Sequence, residues 1–311
     1  MSRILITGSS GQVGFELQRS LAGLAELIAV DVERMNLTDP IAIRRVMREI
    51  APDLIINTAA YTAVDLAESQ PELAMAVNGI APGIIAEEAR RLGATLIHYS
   101  TDYVFDGTKA GPYTEEDEPR PMSVYGRTKL AGDQAIEAVD VPYLILRTSW
   151  VYGARGKNFL LTILRLARER DELKIVDDQI GAPTWSRAIA RATADILKRL
   201  GYGQPGFHAA CAERRGVYNF TAAGQISWHG FAAAILENAK NLRPIDVALA
   251  LERVPALKAI PSERYPTPAQ RPRNSVLAHD KLERVFGVAL ADWRASLDEC
   301  MRNGGTMPEA H

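Results

Sequence analysis

The sequence is poor in cysteine, carries no strong charge of either sign, and has no long apolar run. Its two cysteines, Cys211 and Cys300, stand far apart and outside any CxxC pattern. That argues against a disulfide framework or a zinc site and fits a reducing compartment. Lys and Arg total 36 against 38 Asp and Glu, a net charge of −2. Such a balance gives no bulk attraction to nucleic acid or to an anionic membrane, although a few well-placed donors suffice to hold a phosphate. No apolar segment approaches the roughly 20 residues of a membrane span. Ile4-Leu5-Ile6 is too short for the apolar core of a signal peptide. The expectation is a soluble cytoplasmic protein with neither nucleic acid nor membrane as a partner. Hydrophobic residues at 47% and charged residues at 24% of 311 are ordinary globular usage, in a length that suits two domains or lobes.

What the sequence does contain is alternation. Ile4 to Ile6, Leu27 to Val30, Leu54 to Ile56, Thr95 to Tyr99 and Tyr143 to Leu146 read as strands. Between them, Val13, Leu17, Leu21 and Leu24 recur at helical spacing from Gln12 to Leu24. Thr38-Asp39-Pro40 supplies a cap and a first-turn proline to a helix that turns Ile43, Val46, Met47 and Ile50 inward. Pro71 opens another helical stretch, a helix from near Ile80 ends at Gly93, and Tyr125 to Val139 is helical. Strands apolar on both faces, alternating with helices, predict an α/β fold: a Rossmann-type doubly wound parallel sheet. After Trp150 the pattern loosens, with proline and glycine clustered at 201–206 and 265–272. The predicted division is a Rossmann domain over 1–150, to whose sheet later segments can return, and a smaller lobe over 151–311.

Three motifs carry chemistry. Gly8-Ser9-Ser10-Gly11-Gln12-Val13-Gly14 follows a strand and opens a helix. There Gly8 permits a tight turn, Gly11 lets backbone approach a pyrophosphate, and Gly14 lets the helix pack on the strand. An ordinary βα turn also explains the glycines, but Asp31 at the end of the second strand is placed to accept from an adenosine ribose. Asp31 favours NAD, whereas Arg34 could meet a 2′-phosphate, so NADPH is expected with NADH also possible. Tyr125 and Lys129 share a helix face at i and i+4. A nearby ammonium lowers a tyrosine pKa from near 10, and Tyr125 can then donate a proton to a forming alkoxide. A half-buried tyrosine beside a surface lysine is the plainer alternative. Thr101, at the carboxyl end of the fourth strand, either holds a substrate carbonyl or merely caps the strand end.

In this order the motifs resemble the extended short-chain dehydrogenase/reductase family, and within it the branch that reduces dTDP-4-dehydro-L-rhamnose to dTDP-L-rhamnose, the last step of dTDP-L-rhamnose synthesis for cell-surface polysaccharide. Matching segments span essentially the whole chain: Gly8–Gly14, Ala59 to Asp65, Ser100 to Phe105, Val124 to Leu130, Arg147 to Gly153, Gly181 to Thr184 and Tyr265 to Pro272. The resemblance implies an NADPH-dependent oxidoreductase with Thr101, Tyr125 and Lys129 as its catalytic trio. It places Gly11, Gln12, Val13, Asp31, Ala60, Tyr61, Thr62 and Tyr99 in the cofactor shell, with Asn36 and Leu37 near the adenine. Asp102 and Trp150 contact the dTDP-sugar, and Arg271 and Asn274 belong to a loop that closes over its nucleotide end. A related epimerase or dehydratase, or a non-catalytic regulatory relative, shares part of this pattern. Some relatives form a dimer bridged by Mg²⁺ through glutamates. Glu16 is in place here, but Arg187 and Arg294 stand where the other glutamates are expected, and arginine cannot ligate Mg²⁺. A Glu16–arginine pair between subunits is the substitute expected, and the chain is taken as a monomer or homodimer. His98 is expected to be a satisfied sheet residue, and the segment from Gly201 to Gly216 has no assigned function.

Overall fold

The five apolar runs become β1 (Arg3–Thr7), β2 (Glu26–Val30), β3 (Leu54–Asn57), β4 (Thr95–Thr101) and β5 (Tyr143–Thr148). In this computed structural model, which describes residues 2–241, 251 and 253–303, they pair in parallel in the order β2-β1-β3-β4-β5. The strand Gly216–Asn219 joins in parallel on the far side of β5. Side chains alternate across the sheet as the period of two requires. Ile4, Ile6, Leu54 and Ile56 face one core, and Leu5 and Ile55 face the other. The helices α1 (Gln12–Ser20) and α2 (Pro40–Ile50) cover opposite faces through Leu17 and through Ile43, Val46 and Met47. The fold is therefore a Rossmann-type doubly wound sheet. Its strand order reverses between β1 and β3, which opens a crevice at their carboxyl ends.

Local signals hold in most places. Asp39 caps α2, its side chain accepting from Ile41 N at 2.8 Å and Ala42 N at 3.2 Å. The first helix stops at Ser20 rather than running to Leu24, because Gly23 at φ +82° turns the chain back to deliver Glu26 to β2. After the short α3 (Val64–Ala67), the two helices expected after Pro71 are one run: α4 (Pro71–Met75), a π turn at Ala76–Ile80, and α5 (Ala81–Leu92). Pro82 has no N–H for the carbonyl four residues back, and a wider turn absorbs that loss without breaking the helix. α6 (Val124–Glu137) then leads into β5.

Beyond residue 150 the chain serves both layers. α7 (Phe159–Glu169) belongs to the second, whereas α8 (Ser186–Arg199) packs on α1. A separate core gathers Tyr152, Leu160, Trp185, Phe231, Trp293 and Leu297. Cys211 is buried in one core and Cys300 in another, both as free thiols. Among the described residues no helix is long and apolar enough to cross a membrane.

Candidate active site

Gly8 takes φ +63°, and a Cβ there would lie 2.8 Å from Ala59 Cα. A Cβ on Gly14 would lie 2.2 Å from the Gly8 carbonyl oxygen. Only glycine lets α1 start this close to the loops after β1 and β3. α1 begins at Gly11 without a side-chain cap, so its first-turn N–H groups remain available at the crevice. The crevice opens into a groove of about 780 Å³ lined by Gly8, Gly11, Gln12, Val13, Asp31, Asn36, Leu37, Ala60, Thr62, Tyr99, Tyr125 and Lys129, with Val32, Met35, Leu73 and Val77 adding apolar surface. Asp31 accepts from Ser10 N at 2.8 Å and Val32 N at 2.9 Å. Burial pushes its carboxyl up, but the hydrogen bonds from Ser10 and Val32 outweigh that and hold it below its usual range.

Three expected cofactor residues lie outside the groove lining. Gly14 sits beneath the loop. Arg34 pairs with Glu49 at 3.0 Å on the surface. Tyr61 turns its hydroxyl to Gln70 at 2.9 Å, and its backbone N–H and carbonyl are both held by the Asn78 side chain, at 2.8 and 3.0 Å. Asn78 sits in the π turn, so that turn braces the loop whose neighbours Ala60 and Thr62 face the groove.

Tyr125 and Lys129 line the groove, and Thr101, outside its lining, faces Tyr125. Ser123 caps α6 by accepting from Gly126 N at 3.1 Å, which sets Tyr125 in the first turn and Lys129 one turn on. The Tyr125 phenol faces the Thr101 hydroxyl, whose Oγ1 donates to Asp102 Oδ1 at 3.0 Å. Burial pushes the phenol above its usual value; the Thr101 hydroxyl opposes this, and the charges of Asp102 and Asp133 add to it. The i, i+4 spacing predicts that Lys129 lowers the phenol. In the structure Lys129 Nζ points elsewhere, donating to Tyr99 O at 2.7 Å and lying 3.0 Å from His98 Nε2. Burial brings Lys129 down to about 8, against the pull of Asp133. Asp133, the next residue of the same helix stripe, is itself buried, accepts from Ser100 Oγ at 2.6 Å and lies 3.7 Å from Arg147 Nε.

The residues expected at the sugar, Asp102, Trp150, Arg271 and Asn274, come from distant segments and lie outside the groove lining. Asp102 is buried with Oδ2 unpartnered. Burial pushes its carboxyl up to about 6, opposed by the neighbouring Ser275 and Thr101 hydroxyls. Trp150 adopts φ +48°, a left-handed conformation uncommon for a bulky residue. It stacks on Trp228 with centroids 3.5 Å apart and planes 7° from parallel, and Gly181 gives it room, since a Cβ there would lie 2.5 Å from Trp150 Cε2. Arg271 forks onto both Asp65 oxygens at 2.7 and 3.1 Å. Asn274 Nδ2 donates to Lys109 O at 2.8 Å and Gly111 O at 2.9 Å. The last two residues thus tie loops together. On the opposite side of α1, Arg187 pairs with Glu16 at 3.0 Å within this one chain. Arg294 lies over the Trp293 ring. Among the described residues no group of His, Cys, Asp or Glu is placed to share a metal ion.

Several residues at the site escape the sequence motifs. Lys157 lines the groove and immediately precedes Asn158, which donates to Gln12 Oε1 at 2.9 Å. With Lys129 it is one of two cations in the lining. Asp133 was detectable by extending the tyrosine–lysine stripe by four residues. His98 offered a weaker signal, a polar ring in an otherwise apolar strand. Asn78 and Trp228 gave none.

The RmlD substrate binding domain model matches residues 1–305. The chain belongs to that family. It is 47% identical over 301 residues to the dTDP-4-dehydrorhamnose reductase of Burkholderia thailandensis, covering 97% of this chain and 98% of the relative. Among solved structures, the dTDP-4-dehydrorhamnose reductase of Clostridium acetobutylicum superposes with a TM-score of 0.84 at 36% identity, covering 96% and 98% of the two chains. That of Bacillus anthracis, in complex with NADP, gives 0.83 at 32% identity, covering 96% and 99%.

Proposed function

We propose that this member of the RmlD family reduces the C4 ketone of dTDP-4-dehydro-β-L-rhamnose to dTDP-β-L-rhamnose in the cytoplasm, using NADPH with NADH also accepted. The observation that carries the reading is Tyr125 lining a glycine-loop groove with Lys129 while facing Thr101, whose hydroxyl donates to Asp102. The groove fits a dinucleotide. Uncapped N–H groups at the start of α1 suit a pyrophosphate, Asp31 suits a ribose, and Val32, Met35 and Leu37 suit an adenine. Lys157, beside the residue that anchors to Gln12, supplies charge at the pyrophosphate. With α8 and Gly216–Asn219 added, residues 1–150 hold this cofactor, and the rest of 151–311 contributes the sugar-nucleotide lobe.

Bound there, the reduced nicotinamide supplies the hydride that C4 gains. Tyr125 donates the proton that the C4 oxygen gains, and its raised pKa keeps it protonated for that role. Thr101 orients the carbonyl beside it. Lys129, which lines the groove with Tyr125, holds the ribose. Asp102 Oδ2, buried without a partner, accepts from a sugar hydroxyl. The test is NAD(P)H oxidation with dTDP-4-dehydro-L-rhamnose against a panel of other nucleotide ketosugars. Fastest net oxidation with the named sugar is expected. Cofactor binding without net oxidation of any of them rules the reading out.

A further inference from the structure

β4 carries His98 directly behind the catalytic trio, where the reductase reading gives it no task. His98 is fully buried. Its Nδ1 lies 3.0 Å from Asn57 Nδ2 and its Nε2 lies 3.0 Å from Lys129 Nζ. The Asn57 amide in turn hydrogen-bonds Thr7 Oγ1 at 2.6 Å, in either of its two orientations. Side chains from β1, β3, β4 and α6 therefore form one buried line that ends on Lys129. Burial, and then the charge of Lys129, push the imidazole well below its usual pKa, so it is neutral. A neutral imidazole has one N–H and one acceptor nitrogen, which leaves two self-consistent patterns. In one, an ammonium on Lys129 donates to Nε2, Nδ1–H donates to the Asn57 amide oxygen, and the amide nitrogen donates to Thr7. In the other, Asn57 donates to Nδ1, Thr7 donates to Asn57, and Nε2–H donates to a neutral Lys129 amine. Turning the Asn57 amide and exchanging the tautomer converts one pattern to the other, with the imidazole uncharged in both.

We infer that His98 is a positioning residue, which holds the Lys129 side chain behind Tyr125 and favours its charged form through the acceptor at Nε2. The inference rests on the reductase reading above. Other groups face Lys129 from each packed element. Tyr99 O on β4 accepts at 2.7 Å. On α6 itself, Tyr125 stands one turn before, and Asp133 draws the charge while its Oδ1 lies 3.8 Å from His98 Nε2. On β5, Arg147 lies 3.7 Å from Asp133 and offsets part of its charge. A charge-assisted hydrogen bond is about twice as strong as a neutral one. Deleting the Nε2 acceptor therefore costs the ammonium more than the amine, and Lys129 releases its proton at lower pH.

The experiment compares wild type with His98→Leu, His98→Asn and His98→Gln. It records the pH profile of kcat with ketosugar and, independently of the sugar, the pH dependence of NADPH binding by fluorescence. Gln reaches the position of Nε2, whereas Asn reaches only the position of Nδ1. In the Leu and Asn variants the high-pH limb of both profiles should move down by about 1 pH unit. In the Gln variant it should return to the wild-type position, and KM for the sugar should stay unchanged throughout. A limb that stays put in the Leu and Asn variants overturns the inference. An equal shift in all three does so too, because it marks packing rather than an acceptor. If Leu prevents folding, the Asn and Gln pair carries the comparison. A wild type that binds NADPH but reduces no ketosugar sinks the reductase reading, and the binding profiles then still decide the role of His98.

Discussion

On the proposed cofactor wall, Gly8, Asp31, Ala60 and Tyr99 stand on or just beyond the carboxyl ends of four adjacent strands, and the sheet register alone places them beside one another. On the proposed sugar wall, Asp102, Trp150, Arg271 and Asn274 come from separate stretches of chain. These are held by side-chain contacts between loops: Arg271 on Asp65, Asn274 on the 109–111 loop, Trp150 on Trp228. Backbone register is cooperative and hard to shift, whereas a loop tied by one or two side chains can move by itself. Changes on the first wall should thus act through the cofactor or the fold, and changes on the second through graded losses in substrate affinity.

The largest effect should come where the walls meet. Tyr125→Phe removes the proton donor and should lower kcat roughly 10²–10⁴-fold, while NADPH binding measured by fluorescence stays at the wild-type level. A nearly active Tyr125→Phe enzyme would detach the chemistry from both walls. Arg271→Ala releases the loop tied to Asp65 and should raise KM for the sugar nucleotide roughly 10–100-fold with KM for NADPH unmoved. If both constants rise together in steady-state kinetics, the walls are not independent. Lys157→Gln should do the reverse on a smaller scale. NADPH binding weakens by about 2–5-fold, and the difference shrinks in high salt, as befits an exposed charge.

The smallest effect concerns the clasp between α2 and α5, away from both walls. The Arg48 and Arg44 guanidiniums hold the buried Glu88 carboxyl down at about 2 against a usual 4.5. A depressed folded value means the clasp stabilises the fold fully above about 4.5 and is lost as pH falls through about 2. Both arginines are well exposed, which limits the gain to about 1 kcal/mol. Urea unfolding of Glu88→Gln should show that loss at pH 7, closing toward pH 2, with neither KM changed. A change in KM for NADPH would mean that the α2–α5 clasp reaches the groove.

Much of the cofactor wall was legible in the sequence. The glycine loop, Asp31 after the second strand and the Asp39 cap are short-range patterns that the structure bears out, and the Tyr125–Lys129 stripe brings both residues to the groove although Lys129 turns from the phenol to His98. The π turn was not legible, because Pro82 looks like a helix start until Asn78 is seen bracing Tyr61. Arg34 read as a groove cation because the sequence does not show that Glu49 lies beside it. Arg187 read as a residue for a subunit contact until the packing of α8 on α1 set it against Glu16.

The sequence by itself determined the strand periods, the helix caps, the glycine turn and the stripe on α6. Each of these follows from sterics and hydrogen bonding among residues a few positions apart. Only the tertiary structure decided that Gly216–Asn219 returns to the first sheet, that Trp150 stacks on Trp228, and that Lys129 turns to His98 rather than to Tyr125. An arginine, tryptophan or lysine has many chemically acceptable partners along the chain. Which one it meets depends on how the elements pack.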